Sequence, residues 1–447
     1  PTIKKIDYVE IDPILLKTIN NFPTPLTQTE LNHPLSKLHY MDGRIFVKQS
    51  FMQYDLILLG LPPPSTLQAN RFFTVEFFDD IKKALKERGL FVLTLSGSLT
   101  YYSKELKEFN VSILQTLKHV FPYHFVLPGD LNLIFASRSD DIMRLSPNLL
   151  WERLKRHSIT TNLITPMHLR YRYEERWQKW FFSVIQDSRA SVNRDYAPRA
   201  LFYNIAYHHL LFSPWLRGFF ETVNYLTASS AIIFIVILFF LLLLLQKKRK
   251  KTSILFAIGT TGFTVMILEL ILIFTFQIFY GYVFYEIGIL ITIFMTGLAA
   301  GSLLITSRLN MIQRGIKTFL WTEAAHIAFI FFLIIILKYL GSTSVAGAAW
   351  VRILFFLPLF VTGFLAGIEF PLANMMYLRD KSNEKQDSSA PVGKTVGLLY
   401  SVDLIGGWIG GIAGGLILLP VLGLLPACYT LIFLKASSLA LLFISYR

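Results

Sequence analysis

The sequence predicts two fold classes in one chain: a doubly wound α/β domain, followed by an α-helical multi-pass membrane domain. Three observations carry this reading. Of 447 residues 53% are hydrophobic and 16% charged, too apolar for an ordinary soluble protein and too charged for a bare helical bundle. Beyond residue 223 the chain is dominated by apolar runs of about twenty residues, the length that crosses a hydrocarbon core. Within the first 140 residues, short β-rich runs alternate with longer helical patterns, the signature of a parallel sheet with helical crossovers. The organisation expected is an α/β domain over residues 1–140, a helical bridge rich in aromatic and basic residues over 141–223, and a membrane domain over 224–447.

The expected strands are Lys5–Ile11, Lys37–Met41, Tyr54–Leu59, Leu90–Leu95, His124–Leu127 and Leu131–Ala136. The expected helices between them are Pro13–Asn20, Thr74–Arg88 and Lys104–His119, with Gly89 as a C-cap and Pro62-Pro63-Pro64 barring a helix directly after the third strand. The last two strands follow each other without a helix and predict a closing hairpin. In the bridge, helical patterns cover Asn148–Lys155 and Tyr171–Gln186, and the mix of Arg, Trp and Tyr suits a layer against a bilayer surface or against the α/β domain. Adjacent His208 and His209 point about 100° apart on a helix, so no metal site is expected there.

The net charge of +14 does not point to nucleic acid, because its densest run, Lys247 to Lys251, directly follows an apolar stretch and reads as a membrane anchor. The single cysteine, Cys428, rules out an intrachain disulfide or a thiol pair. No signal peptide precedes Pro1, and the chain is expected to be a fragment or a processed product.

In sheets of this class the ligand lies beyond the C-terminal ends of the strands. Those positions hold Glu10 and Asp12, Asp42 and Gly43, and Gly60 with the proline run. A carboxylate after an early strand can accept two hydrogen bonds from ribose hydroxyls, and Glu10 is the choice for that role. Asp12-Pro13 reads equally as a helix cap, and Asp42-Gly43 as a turn.

Four stretches resemble the spermidine synthases: Tyr8-Val9-Glu10-Ile11-Asp12, Asp42-Gly43-Arg44, Tyr54-Asp55-Leu56-Ile57 leading into proline, and Phe73-Thr74-Val75-Glu76-Phe77-Phe78. The resemblance runs to about residue 140 and implies a methyltransferase-like (Rossmann-type) domain lacking its first strand, whose glycine-rich loop would lie before Pro1. It also implies that the acid matching Glu10 holds the ribose of decarboxylated S-adenosylmethionine, or of methylthioadenosine, and that the acid matching Asp42 faces the adenine. Gly43 belongs to the same cofactor site. Family members carry Asp-x-x-Asp-Pro after the fourth strand, where this chain has Gly60-Leu61-Pro62-Pro63-Pro64, so Gly60 and Pro63 stand where the family has acids. The family's glutamine and tyrosine loop likewise have no counterpart in Thr94-Leu95-Ser96-Gly97 and Leu127-Pro128-Gly129-Asp130-Leu131.

A diamine binds through its ammonium groups and must lose a proton before it attacks. A pocket stripped of carboxylates therefore lacks both the attraction and the base, whose loss alone costs about 10²- to 10⁴-fold. The leading expectation is a membrane-bound, spermidine synthase-like protein with an adenosine-type pocket and a degenerate aminopropyltransferase site. The alternatives are a non-catalytic subunit of a larger complex or homo-oligomer, and a transporter with a sensing domain.

Seven spans are expected, near 226–246, 254–279, 283–306, 318–340, 349–377, 396–419 and 422–444. The basic connections Lys247–Lys251, Arg308–Lys317 and Arg379–Lys394 then share one side, which the positive-inside rule makes cytoplasmic. Residues 1–223 would lie outside, in the periplasm if the membrane is a bacterial inner membrane. Glu269, Glu323, His326, Glu369 and Asp403 form a candidate polar site within the spans, together with Glu286 and Lys435. Glu323 and His326 share a helical face, and either an ion route or a clamp such as Asp403 with Lys435 would account for the group. Gly407, Gly411 and Gly415, with Gly406, Gly410 and Gly414 beside them, predict a close helix crossing. Residues 193–198, Asn-Arg-Asp-Tyr-Ala-Pro, resemble a recurring stretch of membrane-fused spermidine synthase-like proteins and read as a structural turn.

Overall fold

The computed structural model describes residues 3–50, 53–245, 249–281, 284–311, 315–342, 349–384 and 392–447. Parts of all three basic connections, including Lys247 and Lys248, lie outside the described residues. The chain divides into two units, residues 1–216 with 280–282, and residues 217–279 with 283–447.

The first unit begins with β1 (Ile6–Glu10), α1 (Pro13–Asn21), α2 (Pro25–Leu31), β2 (Ser36–Tyr40), α3 (Gly43–Gln49) and β3 (Tyr54–Leu59). It continues with α4 (Leu67–Asn70), α5 (Val75–Ala84), β4 (Leu85–Ser96), α6 (Lys104–Val120), β5 (Tyr123–Leu127) and β6 (Leu131–Ser137). Side-chain oxygens start the helices: Asp12 caps α1, Thr24 closes a capping box on α2, Thr74 caps α5 and Ser103 caps α6. β1 and β2 pair in parallel as one sheet, and β3, β4, β6 and β5 form a second in that order. The β3–β4 pair is parallel, and β5–β6 is the expected antiparallel hairpin. The single sheet anticipated from the alternating pattern is thus two, and β1 and β3 each pair along one edge only among the described residues. Their side chains show it: Tyr8, Leu56 and Leu58 are exposed.

The core of this unit is aromatic. Phe78, Phe91 and Phe121 stack through its centre, and Phe73, Phe77 and Phe109 are fully buried around them. One boundary differs from expectation. The helix expected to reach Arg88 ends at Ala84, and Gly89 is not its cap but part of β4. The cause is a bulge in the β3–β4 ladder, where Tyr54 pairs with Leu85 and Leu56 with Leu90. A Cβ on Gly89 would sit 2.9 Å from the Tyr54 carbonyl, so only glycine lets the backbones approach there.

The bridge is α7 (Pro147–Arg156), α8 (Pro166–Arg172), α9 (Glu175–Ile185) and α10 (Arg199–Phe212). It does not stand apart, because α9 and α10 both pack on α6 and bury Phe181, Phe202 and Tyr203. The pair α7 and α8 buries no residue. The expected helix Tyr171–Gln186 is broken at Tyr173 and Glu174, and His208 and His209 are exposed on α10.

The second unit holds α11 (Arg217–Asn224), α12 (Ala228–Leu245), α13 (Arg249–Tyr280), α14 (Phe284–Arg308), α15 (Gly315–Ser342), α16 (Ala349–Glu384), α17 (Val392–Ile412) and α18 (Leu424–Tyr446). A π-helical stretch, Ala413–Leu422, carries α17 on to Gly423, which takes a positive φ of 89° and turns the chain into α18. Among the described residues six helices, α13 to α18, are long and apolar enough to cross a membrane. A seventh is counted if Pro214–Asn224 and Ala228–Leu244, bent by 95°, are one span.

Two crossings are backbone-close. In α14 and α16 the carbonyls of Phe360 and Phe364 lie 2.2 and 2.1 Å from where Cβ atoms of Gly297 and Gly301 would be. Reciprocally, those of Phe294 and Leu298 lie 2.1 Å from Cβ positions on Gly363 and Gly367. On α17 the face that meets α13 is Gly406 and Gly410, whereas Gly407 and Gly411 have looser neighbours and Gly415 has none within 4 Å.

Candidate nucleotide-binding site

The register of β1 and β2 aligns Glu10 with Tyr40, so the residues that follow these strands emerge side by side at their C-terminal ends. The Glu10 side chain is half-buried, and its Oε1 accepts from the amide of Asp12 at 3.1 Å. Asp12 itself accepts from the Ile14 amide at 2.8 Å and is the cap of α1. Behind them Asp7 anchors the strand, receiving Lys5 at 2.9 Å, His39 at 2.7 Å and the Tyr54 hydroxyl at 3.0 Å. Burial works against its charge, but the hydrogen bonds from Lys5, His39 and Tyr54 outweigh it and hold the Asp7 carboxyl below the usual carboxylate range.

Asp42 is buried and fully engaged. Its Oδ1 accepts from the amides of Arg44 and Ile45 at 3.0 and 3.2 Å, making it the cap of α3. Both oxygens also receive the guanidinium of Arg71, itself buried. Gly43 is the first residue of α3. The reading of Asp42-Gly43 as a bare turn is therefore replaced by a helix start locked to a buried arginine.

Beside this pair lies a second one that spacing could not reveal. Arg44 is 1% exposed, and its Nη1 and Nη2 donate to the two oxygens of Asp195 at 2.8 and 2.5 Å, while Thr74 donates to the same carboxylate at 2.8 Å. The amide of Asp195 donates to Glu76 at 3.0 Å. Burial and the neighbouring Asp195 charge raise the Glu76 carboxyl above the usual range. Asn193 completes the latch, donating to Asn70 at 3.0 Å and the Phe73 carbonyl at 2.9 Å and accepting from the Ala200 amide at 3.1 Å. The stretch 193–198 thus ties the bridge to α3, α4 and α5.

At the end of β3, a Cβ built on Gly60 meets no heavy atom of the described residues within 4 Å. The proline run is tethered by Asn204, which donates to the Pro64 carbonyl at 2.9 Å. The end of β4 is tied to the hairpin instead: Gly97 donates to the Asp130 carbonyl, and Asn132 links Tyr102 and Asn110 at 2.7 and 2.9 Å.

In the second unit the residues expected to form a polar site divide. Glu323, His326 and Glu369 come together with Lys435, all fully buried. Lys435 pairs with Glu323 at 2.9 Å and Glu369 at 3.6 Å, and His326 Nδ1 faces Glu369 Oε1 at 2.9 Å. The clamp of Asp403 with Lys435 is not formed as a contact pair; Asp403 lies beside Gly262 on the α13–α17 crossing. Glu286 pairs with Arg352 at 3.0 Å, and Glu269 is half-buried on α13 away from these contacts. Among the described residues no three His, Cys, Asp or Glu side chains converge as a metal site.

Residues 1–141 match the spermine/spermidine synthase domain. A polyamine aminopropyltransferase of Pyrobaculum calidifontis is 27% identical over 175 residues, covering 37% of this chain and 59% of that protein. Another, of Alkaliphilus metalliredigens, is 34% identical over 161 residues, covering 34% and 55%. The chain thus spans little more than half the length of these curated relatives. The solved spermidine synthase from Thermotoga maritima superposes with a TM-score of 0.31 at 18% identity, covering 40% of this chain and 61% of that one. The first 141 residues of the chain are a spermine/spermidine synthase domain.

Proposed function

We propose that the protein is an integral membrane protein whose α/β domain binds an adenosine-type nucleotide through Glu10 and does not perform ordinary diamine aminopropyl transfer. The observation that carries this reading is the open end of β3, where Gly60 and Pro63 stand in place of acids and, among the described residues, no side chain comes within 4 Å of a Cβ on Gly60. Ammonium recognition and proton removal both need a carboxylate at that place. Glu10, by contrast, keeps a half-buried carboxylate at the end of β1, suited to a pair of ribose hydroxyls. Decarboxylated S-adenosylmethionine and methylthioadenosine are the ligands to test.

A second reading, a non-catalytic subunit that uses the domain for docking, is favoured by one fact. The acid expected to face adenine, Asp42, is already committed to Arg71 and to the cap of α3. Calorimetry on the full chain in nanodiscs separates the two. Binding of methylthioadenosine is expected, with at least a tenfold loss in Glu10→Gln, since a hydrogen bond to a charged group contributes about 1.5–3 kcal/mol. Absence of binding by either nucleotide would leave the docking role. Space around Gly60 also admits the Gly60→Asp variant, which is expected to gain affinity for putrescine.

The membrane reading rests on surface as well as length. Leu303 on α14, Ile335 on α15 and Trp408 on α17 are all more than half exposed, an apolar exterior that suits lipid and not water. α12 is wholly apolar apart from two serines, and its 18 residues span about 27 Å at 1.5 Å each. Counting it gives seven spans, with the basic connections cytoplasmic and residues 1–216 outside, at a bacterial inner membrane.

A further inference from the structure

Four helices of the second unit meet at one sealed point. α13 contributes Thr261, α15 Glu323 and His326, α16 Glu369, and α18 Lys435 and Ser438. The ionisable members are 0% exposed. Lys435 donates a hydrogen bond to Thr261 at 2.9 Å and forms ion pairs with Glu323 at 2.9 Å and Glu369 at 3.6 Å. Ser438 donates to the other oxygen of Glu323 at 3.0 Å, and Thr261 donates to Glu369 Oε2. Glu369 Oε1 faces His326 Nδ1 at 2.9 Å as an ion-pair contact, and neither it nor Glu323 Oε2 has a hydrogen-bond partner among the described residues. That nitrogen also lies 3.2 Å from the Thr322 carbonyl, within its own helix. His326 Nε2, sealed from solvent, has no hydrogen-bond partner.

The charge count does not close. One ammonium against two carboxylates leaves one uncompensated negative charge, the arrangement that a dry interior tolerates least. A further carboxylate, Asp403 on α17, interacts electrostatically with both Glu369 and Lys435. α13 brings no charged group to the contact. We propose that this quartet of Lys435, Glu323, Glu369 and His326 is a proton-binding site, holding one exchangeable proton that neutralises it and stabilises the packing of α13, α15, α16 and α18. The proton is held at the Glu369–His326 contact.

The chain supplies its own reporter. Cys428, its single cysteine, is buried on α18 two turns before Lys435, so a thiol-reactive fluorophore registers opening of this helix during heating. In the full chain in nanodiscs, the wild-type melting temperature so measured is expected to fall as the pH is raised to 9 and the proton is stripped. Glu323→Gln removes the excess charge without a proton. It is expected to flatten that dependence and to melt above the wild type at pH 9. A Glu323→Gln variant that melts below the wild type by the same amount at every pH would overturn the proposal, because the quartet would then be a plain ion-pair clamp. His326→Gln serves as the second arm. It is expected to lose the pH dependence while keeping the Lys435 pair, and an unchanged slope in it would also refute the site. The result does not depend on nucleotide binding by the α/β domain, so the two readings fail separately.

Discussion

Asp195 shows what a single residue can hold. Its carboxylate receives both guanidinium nitrogens of Arg44 and the hydroxyl of Thr74 in a site closed to water. Removing one member of such a pair leaves the other charged, buried and alone, at a cost of roughly 3–5 kcal/mol. Asp195→Ala is therefore expected to lower the stability of the first unit by that order, read as a drop in the midpoint of urea unfolding, while Asp55→Ala, at an exposed ion pair with Lys86, changes it little. None of this was legible in the sequence. Arg44 and Asp195 are 151 positions apart, and a stretch known only as recurring carries no partner with it. Asp12 was legible as a cap because capping is a local rule. Asp42 was half legible, since the cap is local but Arg71 is not.

Among the elements, the α14–α16 crossing is the most demanding. Two glycines four residues apart on each helix leave the partner's carbonyls 2.1 to 2.2 Å from where a methyl would stand. Gly301→Ala and Gly367→Ala are each expected to force the helices apart, at about 1–3 kcal/mol or more, seen as a lower melting temperature in the thiol assay. Gly415→Ala, with open space around it, is the control that leaves it unchanged. The glycines of α17 were visible as a pattern, yet only their neighbours on α13 decide that Gly406 and Gly410 make the contact. Helices and strands of the first unit were placed well wherever hydrophobic period and cap agreed, as for α6 and β3. The α5–β4 boundary was misread because Gly89 signals a helix end by itself and a bulge only once β3 lies beside it. α2 and α3 are too short for periodicity to mark.

Over the whole molecule, the division into an α/β part and an apolar helical part could be read from composition. The sealed quartet could not, because helical spacing joins Glu323 to His326 but says nothing of Glu369 or Lys435. Topology turns on α12. If it crosses, the seven-span count puts the first unit outside; if it lies flat, six spans put that unit with the basic connections. A reporter fused before Asn224 is expected to be active on the extracytoplasmic side, and one fused after Lys251 on the cytoplasmic side. Equal cytoplasmic signals from both would remove the seven-span arrangement.

The bare flank of β3 bears on how the protein must be handled. Its amide and carbonyl groups, with Leu56 and Leu58 beside them, form a template on which another extended chain can add by main-chain bonds. A first unit severed from the second tumbles freely and meets its own kind at every angle. Cutting the chain after Leu216 should thus yield a polypeptide that gathers into fibrous aggregates, and a short added lysine on that flank should keep it dispersed.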